Sequence, residues 1–354
     1  MSDNRTTRGK KSNRRQMLTT LGALPAIGLT SWPSHAEADD AEVDAEVDAV
    51  TEPTRIVINK SDVDEYYRLK FMDLDDPKVA RKQRAMPVTK IGDLTIGRLV
   101  CGSNLISMNM HSRDLSYVRQ LATHYNTEER IFMTMKKCEE YGVNSIVLKH
   151  SNFKQFRLAD YWREWGGKMV WIADVITTDI DHFERLLVEH LELGASAAYV
   201  WGGASDIWYH EKKPEKIIQA FEIIKKYKIP AGIAAHRIEP IMFCEREGLV
   251  PDFYMKTFHH DRYWSAHPKE KQRFIEMFES DSPNHDEYHD NMFCHDHEET
   301  AAFMQSVKVP WMAFKIMAAG AIAAKDGFHT AFQSGADSVC VGMFDFQVEA
   351  DVQL

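Results

Sequence analysis

Two lysines close apolar runs in the second half of the chain. Lys256 lies in PDFYMKTFHH, three residues before His259 and His260, and Lys315 lies in PWMAFKIMAAG. Period-two alternation puts Lys256 on one face with Tyr254 and Phe258, and Lys315 on one with Trp311 and Ala313. An ammonium among apolar side chains is costly, so both are expected to turn toward a polar mouth. Side by side they would depress each other's pKa, and the neutral amine is the form that attacks a carbonyl. Asp174 and His236 also end such runs and are candidate proton carriers. Plainer readings stay open: the lysines could pair with Asp174 or Asp345 and only hold structure, and His236 could be a satisfied histidine.

Eight apolar runs carry these ends, among them NSIVLKH, KMVWIADV, ASAAYVWGG, IPAGIAAH and ADSVCVGMFD. Between them the spacing is helical, with Ile131, Met135 and Cys138 near one face, and Ile217, Phe221 and Ile224 near another. Strands that read as continuous apolar runs are covered on both sides, which is the condition of a parallel sheet. Eight strand–helix repeats over residues 87–354 predict an α/β fold, a (β/α)8 TIM-type barrel. PVTKIGDLTIGRLVCGSN predicts a hairpin turning at Gly92-Asp93 and leading into a first buried strand from Leu94 to about Ser103. Only Phe346 to Leu354 follow the last strand, so an ordinary closing helix is expected to be missing.

In a barrel the chemistry gathers where strands end. Besides the four residues above, those ends supply Asn104, Lys149, His150, Trp201 and Asp345 as candidate substrate contacts. Gly320 and Gly342 could let backbone amides approach an anion, or serve tight turns alone. The longest loop follows the sixth strand, His259 to Glu298, and is long enough for a lid. It holds seven of the 16 histidines, and its Tyr263 and Trp264 could stack on a sugar ring or pack the loop down. His236, His259, His260 and Asp261 are candidate metal ligands, with His285 and His289 at helical spacing beyond them; a solvated polar loop is the favoured alternative, since no HExxH pattern occurs.

MKTF, then FKIMAAGAI, then GADSVCVG resemble the last three strands of the deoxyribose-phosphate aldolase family. That resemblance implies Lys256 as the Schiff-base lysine, Lys315 as the lysine tuning it, and Asp174 as the proton carrier. The family's Gly-Gly after the seventh strand is Ala319-Gly320 here, which argues against a phosphorylated substrate. TKIGDLTIGRLVCGSN is similar to the opening hairpin of aldo/keto reductases; the catalytic Asp, Tyr, Lys and His which that resemblance implies on strands two to four are not supplied by NSIVLKHSNF, WIADV and AYVWGG. Over its full length the pattern also resembles bacterial barrel proteins exported by the twin-arginine route, a likeness that carries no activity.

The leader SNRRQMLTTLGALPAIGLTSWPSHAEA resembles a twin-arginine export signal, with Arg14-Arg15, a short apolar run and the small residues Ser34, Ala36 and Ala38. Export to the periplasm or cell envelope by the twin-arginine machinery is therefore expected, with residues 1–38 as signal. Residues 39–54 read as an acidic solvated linker and residues 55–86 as short pre-barrel helices. The formal charge of -10 disfavours nucleic acid as a partner, and no apolar run approaches the roughly 20 residues of a membrane span. Five cysteines, an odd number within apolar patterns, point to buried thiols. The leading expectation is an exported enzyme acting on a small carbonyl or sugar-like compound by Schiff-base chemistry, which requires no cofactor. Alternatives are a hydrolase or isomerase using a divalent metal, an NADPH-dependent oxidoreductase, and a sugar-binding barrel without catalysis.

Overall fold

The computed structural model describes residues 86–111, 115–149, 157–267 and 293–354, all within the unit Glu65–Leu354. The expected signal, linker and pre-barrel helices lie outside these residues, apart from Met86. His150, His285 and His289 lie outside them as well.

A two-residue turn at Gly92-Asp93 joins β1 (Val88–Ile91) to β2 (Leu94–Gly97) in an antiparallel hairpin, with Gly92 at a φ of 57°. Glycine suits this position twice over. It adopts the left-handed backbone without strain, and a Cβ there would meet Pro230 Cγ at 3.0 Å. The first barrel strand does not start at Leu94 as expected. A break at Gly97-Arg98 separates the hairpin from β3 (Leu99–Gly102), and the amide of Gly97 donates to Asn144 Oδ1 at 2.8 Å.

Seven more parallel strands follow: β4 (Ser145–Leu148), β5 (Val170–Val175), β6 (Ala197–Val200), β7 (Ala231–Ala235), β8 (Phe253–Thr257), β9 (Trp311–Phe314) and β10 (Ser338–Val341). They close in the order β10-β3-β4-β5-β6-β7-β8-β9, so every edge is paired. The fold is the (β/α)8 barrel that the repeats predict.

Helices α1 (Ser116–Tyr125) and α2 (Glu128–Glu140) follow β3, and α3 (Leu158–Trp165) and α4 (Ile180–Glu192) follow β4 and β5. Then come α5 (Gly202–His210), α6 (Glu215–Lys226), α7 (Glu239–Arg246), α8 (His297–Ser306) and α9 (Ala324–Gln333). Helix α2 starts at Thr127, whose side chain accepts from the Arg130 amide, and it buries Ile131, Met135 and Cys138 as the spacing foretells. Helix α6 buries Ile217, Phe221 and Ile224 in the same way.

A short helix stands where an ordinary closing helix would lie. Val348–Gln353 forms α10, short but with Val348 fully buried, and it packs on α2. All five cysteines are buried free thiols, and no helix among the described residues is long and apolar enough to cross a membrane.

Alternation divides the core into two. Val100, Val147, Ile172, Tyr199, Met255, Met312 and Cys340 fill the lumen, plugged from the hairpin by Ile91 and Ile96. Trp171, Ala235, Tyr254, Ala313 and their neighbours face outward into the helix layer. Gly232 pairs across strands with Tyr199 and Phe253, and a Cβ on it would come within 2.4 Å of the Phe253 ring. Gly232→Val should therefore overpack the lumen and cost about 1–3 kcal/mol of stability in urea unfolding; an unchanged midpoint would show that the Phe253 ring can move aside freely.

Candidate active site at the barrel mouth

Beyond the carboxyl ends of the strands lies a cleft of about 1770 Å³. Four lumen-facing residues continue the alternation into it. Lys149 follows β4, Asp174 lies near the end of β5, Tyr199 is on β6, and His236 follows β7. Asp174 and Tyr199 are direct cross-strand neighbours, and Lys149 comes one position after the Leu148–Ala173 pair.

His236 is held from one side by Asp206, which lies in α5 and is almost wholly buried. One Asp206 oxygen accepts from the His236 amide at 3.1 Å and contacts Nδ1 at 2.8 Å, while the other accepts from the Arg237 amide at 3.1 Å. The carboxylate thus fixes the tautomer with hydrogen on Nδ1 and leaves the Nε2 lone pair toward the cleft. Burial lowers the His236 pKa, and the Asp206 hydrogen bond opposes that shift only in part. The Phe314 ring packs edge-on at 5.4 Å.

Asp174 is shifted the other way. Burial raises its pKa to about 7 against the opposing pull of Lys149, Tyr199 and Lys315. Its Oδ1 is sealed from solvent and has no hydrogen-bond partner. Lys149 is lowered by burial, with Asp174 opposing, and its carbonyl is tied to the buried His190 ring.

Lys315 reaches the mouth by breaking the alternation. On a regular strand it would share the outward face of Trp311 and Ala313, but its φ of 57° turns the chain, and Ala318, Ala319 and Gly320 after it are also left-handed. Its Nζ meets His111 Nε2 at 2.7 Å and lies 3.8 Å from the centroid of the Phe293 ring. His111 is pushed well below its ordinary pKa by burial and by Lys315, so it remains a neutral acceptor for the ammonium.

Lys256 overturns the sequence expectation. It is 0% exposed and shares the outward face of Tyr254 and Phe258, between sheet and helices. There its Nζ donates to the carbonyls of His236 at 2.6 Å and Thr257 at 2.7 Å. Partners other than charge, namely backbone carbonyls, let an ammonium face the helix layer after all. Lys315 thus lines the cleft and Lys256 does not, its ammonium being taken up by two carbonyls instead.

Other predicted contacts divide similarly. Asn104, Trp201, Gly320 and Gly342 line the cleft. Asp345 instead clasps α1 and α2, accepting from the Tyr125 hydroxyl and from Arg130 at 3.2 Å. His259 bridges loop ends: its Nδ1 contacts the His260 carbonyl, and its Nε2 accepts from the Phe293 and Cys294 amides. His260 accepts from the Arg262 amide and binds Asp326 of α9 at 2.8 Å. Tyr263 packs against both histidines, and Trp264 is 82% exposed. Asp261 lies 3.7 Å from His297 Nδ1, so the metal candidates His236, His259, His260 and Asp261 are separately engaged, and no cluster of three or more potential ligands occurs among the described residues.

No protein-family model matches the chain, and no curated protein matches it in sequence. Among solved structures, a proposed aldo-keto reductase from Pseudomonas aeruginosa is similar at 13% identity and a TM-score of 0.51, over 78% of this chain and 97% of that one. A glycerol dehydrogenase from Gluconobacter oxydans follows at 10% and 0.42, over 75% of this chain and 89% of that one. An archaeal fructose 1,6-bisphosphate aldolase gives 12% and 0.39, over 82% and 97%. At such identities the likeness is one of barrel fold alone.

Sequence reasoning missed Asp206, Tyr199, His111 and Phe293. Asp206 had a signal: an acid in the otherwise small and apolar GGASDIW needs a buried partner. Lys256→Ala would strand two buried carbonyls and should lower stability by about 2–4 kcal/mol, while borohydride with carbonyl compounds should leave Lys256 of the parent protein unmodified. An adduct on Lys256 would refute its outward placement.

Proposed function

We propose that the chain is a barrel enzyme that moves protons on a small carbonyl or sugar-like compound. The observation that carries this reading is the Asp206–His236 pair, with Nε2 open to a cleft that also holds Asp174 and two lysines. His236 Nε2 takes a proton from the carbon beside the substrate carbonyl. The C–H electron pair moves into the carbon–carbon bond and the carbonyl electrons onto oxygen, giving an enolate. A lysine ammonium stabilises the oxyanion, and a protonated Asp174 returns a proton.

The inverted acidities support this division of labour. A carboxyl near 7 and an imidazole below its usual value, lining one cleft, make Asp174 the acid and His236 the base over a shared pH range. Proton exchange from candidate carbonyl compounds in heavy water, followed by NMR, tests the reading directly. His236→Gln should slow exchange on the order of 100-fold or more. The rate should rise with pH as His236 loses its proton, below the ordinary histidine range, and fall above about 7 as Asp174 ionises. Asp174→Asn should abolish the fall. Wild-type exchange in His236→Gln would refute the assignment.

One observation favours a second reading, an aldo/keto-reductase-like oxidoreductase. Lys149, Asp174, Tyr199 and His236 are the residue types that family uses, gathered in a different strand order. Burial and Asp174 push the Tyr199 hydroxyl well above its ordinary pKa, which disfavours it as a proton donor. NADPH oxidation on addition of the same compounds, without proton exchange, would choose this reading over the first.

The proposal extends to location. The leader's resemblance to a twin-arginine signal supports export to the periplasm, and Arg14→Lys with Arg15→Lys should leave the protein in the cytoplasmic fraction; unchanged export would sink that part.

A further inference from the structure

Two groups of opposite character stand side by side in the mouth. Lys149 and Asp174 end adjacent strands and both line the cleft, yet no hydrogen bond or ion pair joins them. No group among the described residues accepts from the Lys149 ammonium, and the Asp174 carboxyl, hydrogen-bonded by Tyr199 from the next strand, is still partly open to the cleft. Both residues are only partly buried and open to the cleft, where a ligand can reach them. The ligand must offer an acceptor to one group and a donor to the other.

A second cation bears on the same space. The Lys315 ammonium is fixed by His111 and the Phe293 ring, and both lysines act electrostatically on Asp174 and on His111. Two cations beside one carboxyl favour a ligand with a single negative charge. A phosphate dianion would also face Asp174 at close range, and binding would demand that this carboxyl stay protonated.

Resting on the proton-transfer reading of this mouth, we propose that the substrate is a small hydroxy acid bearing a carbonyl, a uronic-acid type of compound. Its carboxylate is held by Lys149 and Lys315, and one of its hydroxyls hydrogen-bonds the part of the Asp174 carboxyl group that is open to the cleft. The Trp201 side chain, also in the cleft wall, offers a flat apolar surface to the carbon chain. His236 Nε2 then faces the remaining carbons from the next strand, which connects binding to the reaction.

Binding to the purified protein, read by calorimetry, tests this without requiring turnover. The probes are glucuronate, gluconate, glucose, glucose 6-phosphate and hexanoate. Glucuronate or gluconate should bind about tenfold or more tighter than each of the other three, since a charge-assisted hydrogen bond is at stake. Lys149→Met, and Lys149→Gln as a milder variant, should bring the acids down to the level of glucose. Asp174→Ala should remove the preference for gluconate over hexanoate. Circular dichroism and the melting temperature confirm that each variant is folded. Equal binding of acid and neutral sugar, tighter binding of the phosphate ester, or no binding of either sugar acid overturns the proposal. Sugar-acid binding without proton exchange would leave this substrate class standing and sink the proton-transfer reading instead.

Discussion

Closure of eight parallel strands into one cylinder imposes a choice on every strand residue, lumen or helix layer, and that choice governs everything the mouth contains. Asp174 and Tyr199 are in the cleft because each stands an even number of positions from a lumen residue of its own strand. Lys256 is outside because it stands one position from Met255, which fills the lumen. A single step of register would exchange these faces on any strand, so the hydrophobic pattern that closes the barrel also selects its polar groups.

The fold was legible because burial on both faces leaves strands almost free of polar residues, and the helices between them keep one apolar stripe. The position of the site at the strand ends followed from that. Side-chain direction was legible only where apolar neighbours settled it. Lys256 was assigned to the lumen on the ground that charge avoids the helix layer, but carbonyls of His236 and Thr257 meet its ammonium there. Lys315 escapes its strand's alternation through a left-handed backbone that residue type alone does not announce, for lysine is not a residue that favours it. The loop histidines drew attention by number, yet His259 and His260 are spent on fastening the chain. Phe293, which packs against Lys315, His111 and His236, comes from the far end of that loop and no local pattern points to it.

Outer and inner layers meet at one residue. The His236 carbonyl receives Lys256 from outside the wall, while its amide and ring are held by Asp206 from α5. An imidazole anchored through backbone and ring loses little freedom when it binds substrate, and this is how a scaffold gives a proton carrier a fixed direction. Burial then sets the energies. It penalises charge on His236 and on Asp174 alike, which lowers one pKa and raises the other.

That crossing of acidities is the centre of the functional account, and NMR titration of the folded protein reports it most directly. With carboxyl and imidazole carbons labelled, and with Asp174→Asn and His236→Gln to assign the signals, the account predicts that Asp174 titrates near 7 and His236 below it. An Asp174 that titrates in the ordinary carboxylate range, beneath His236, would contradict it.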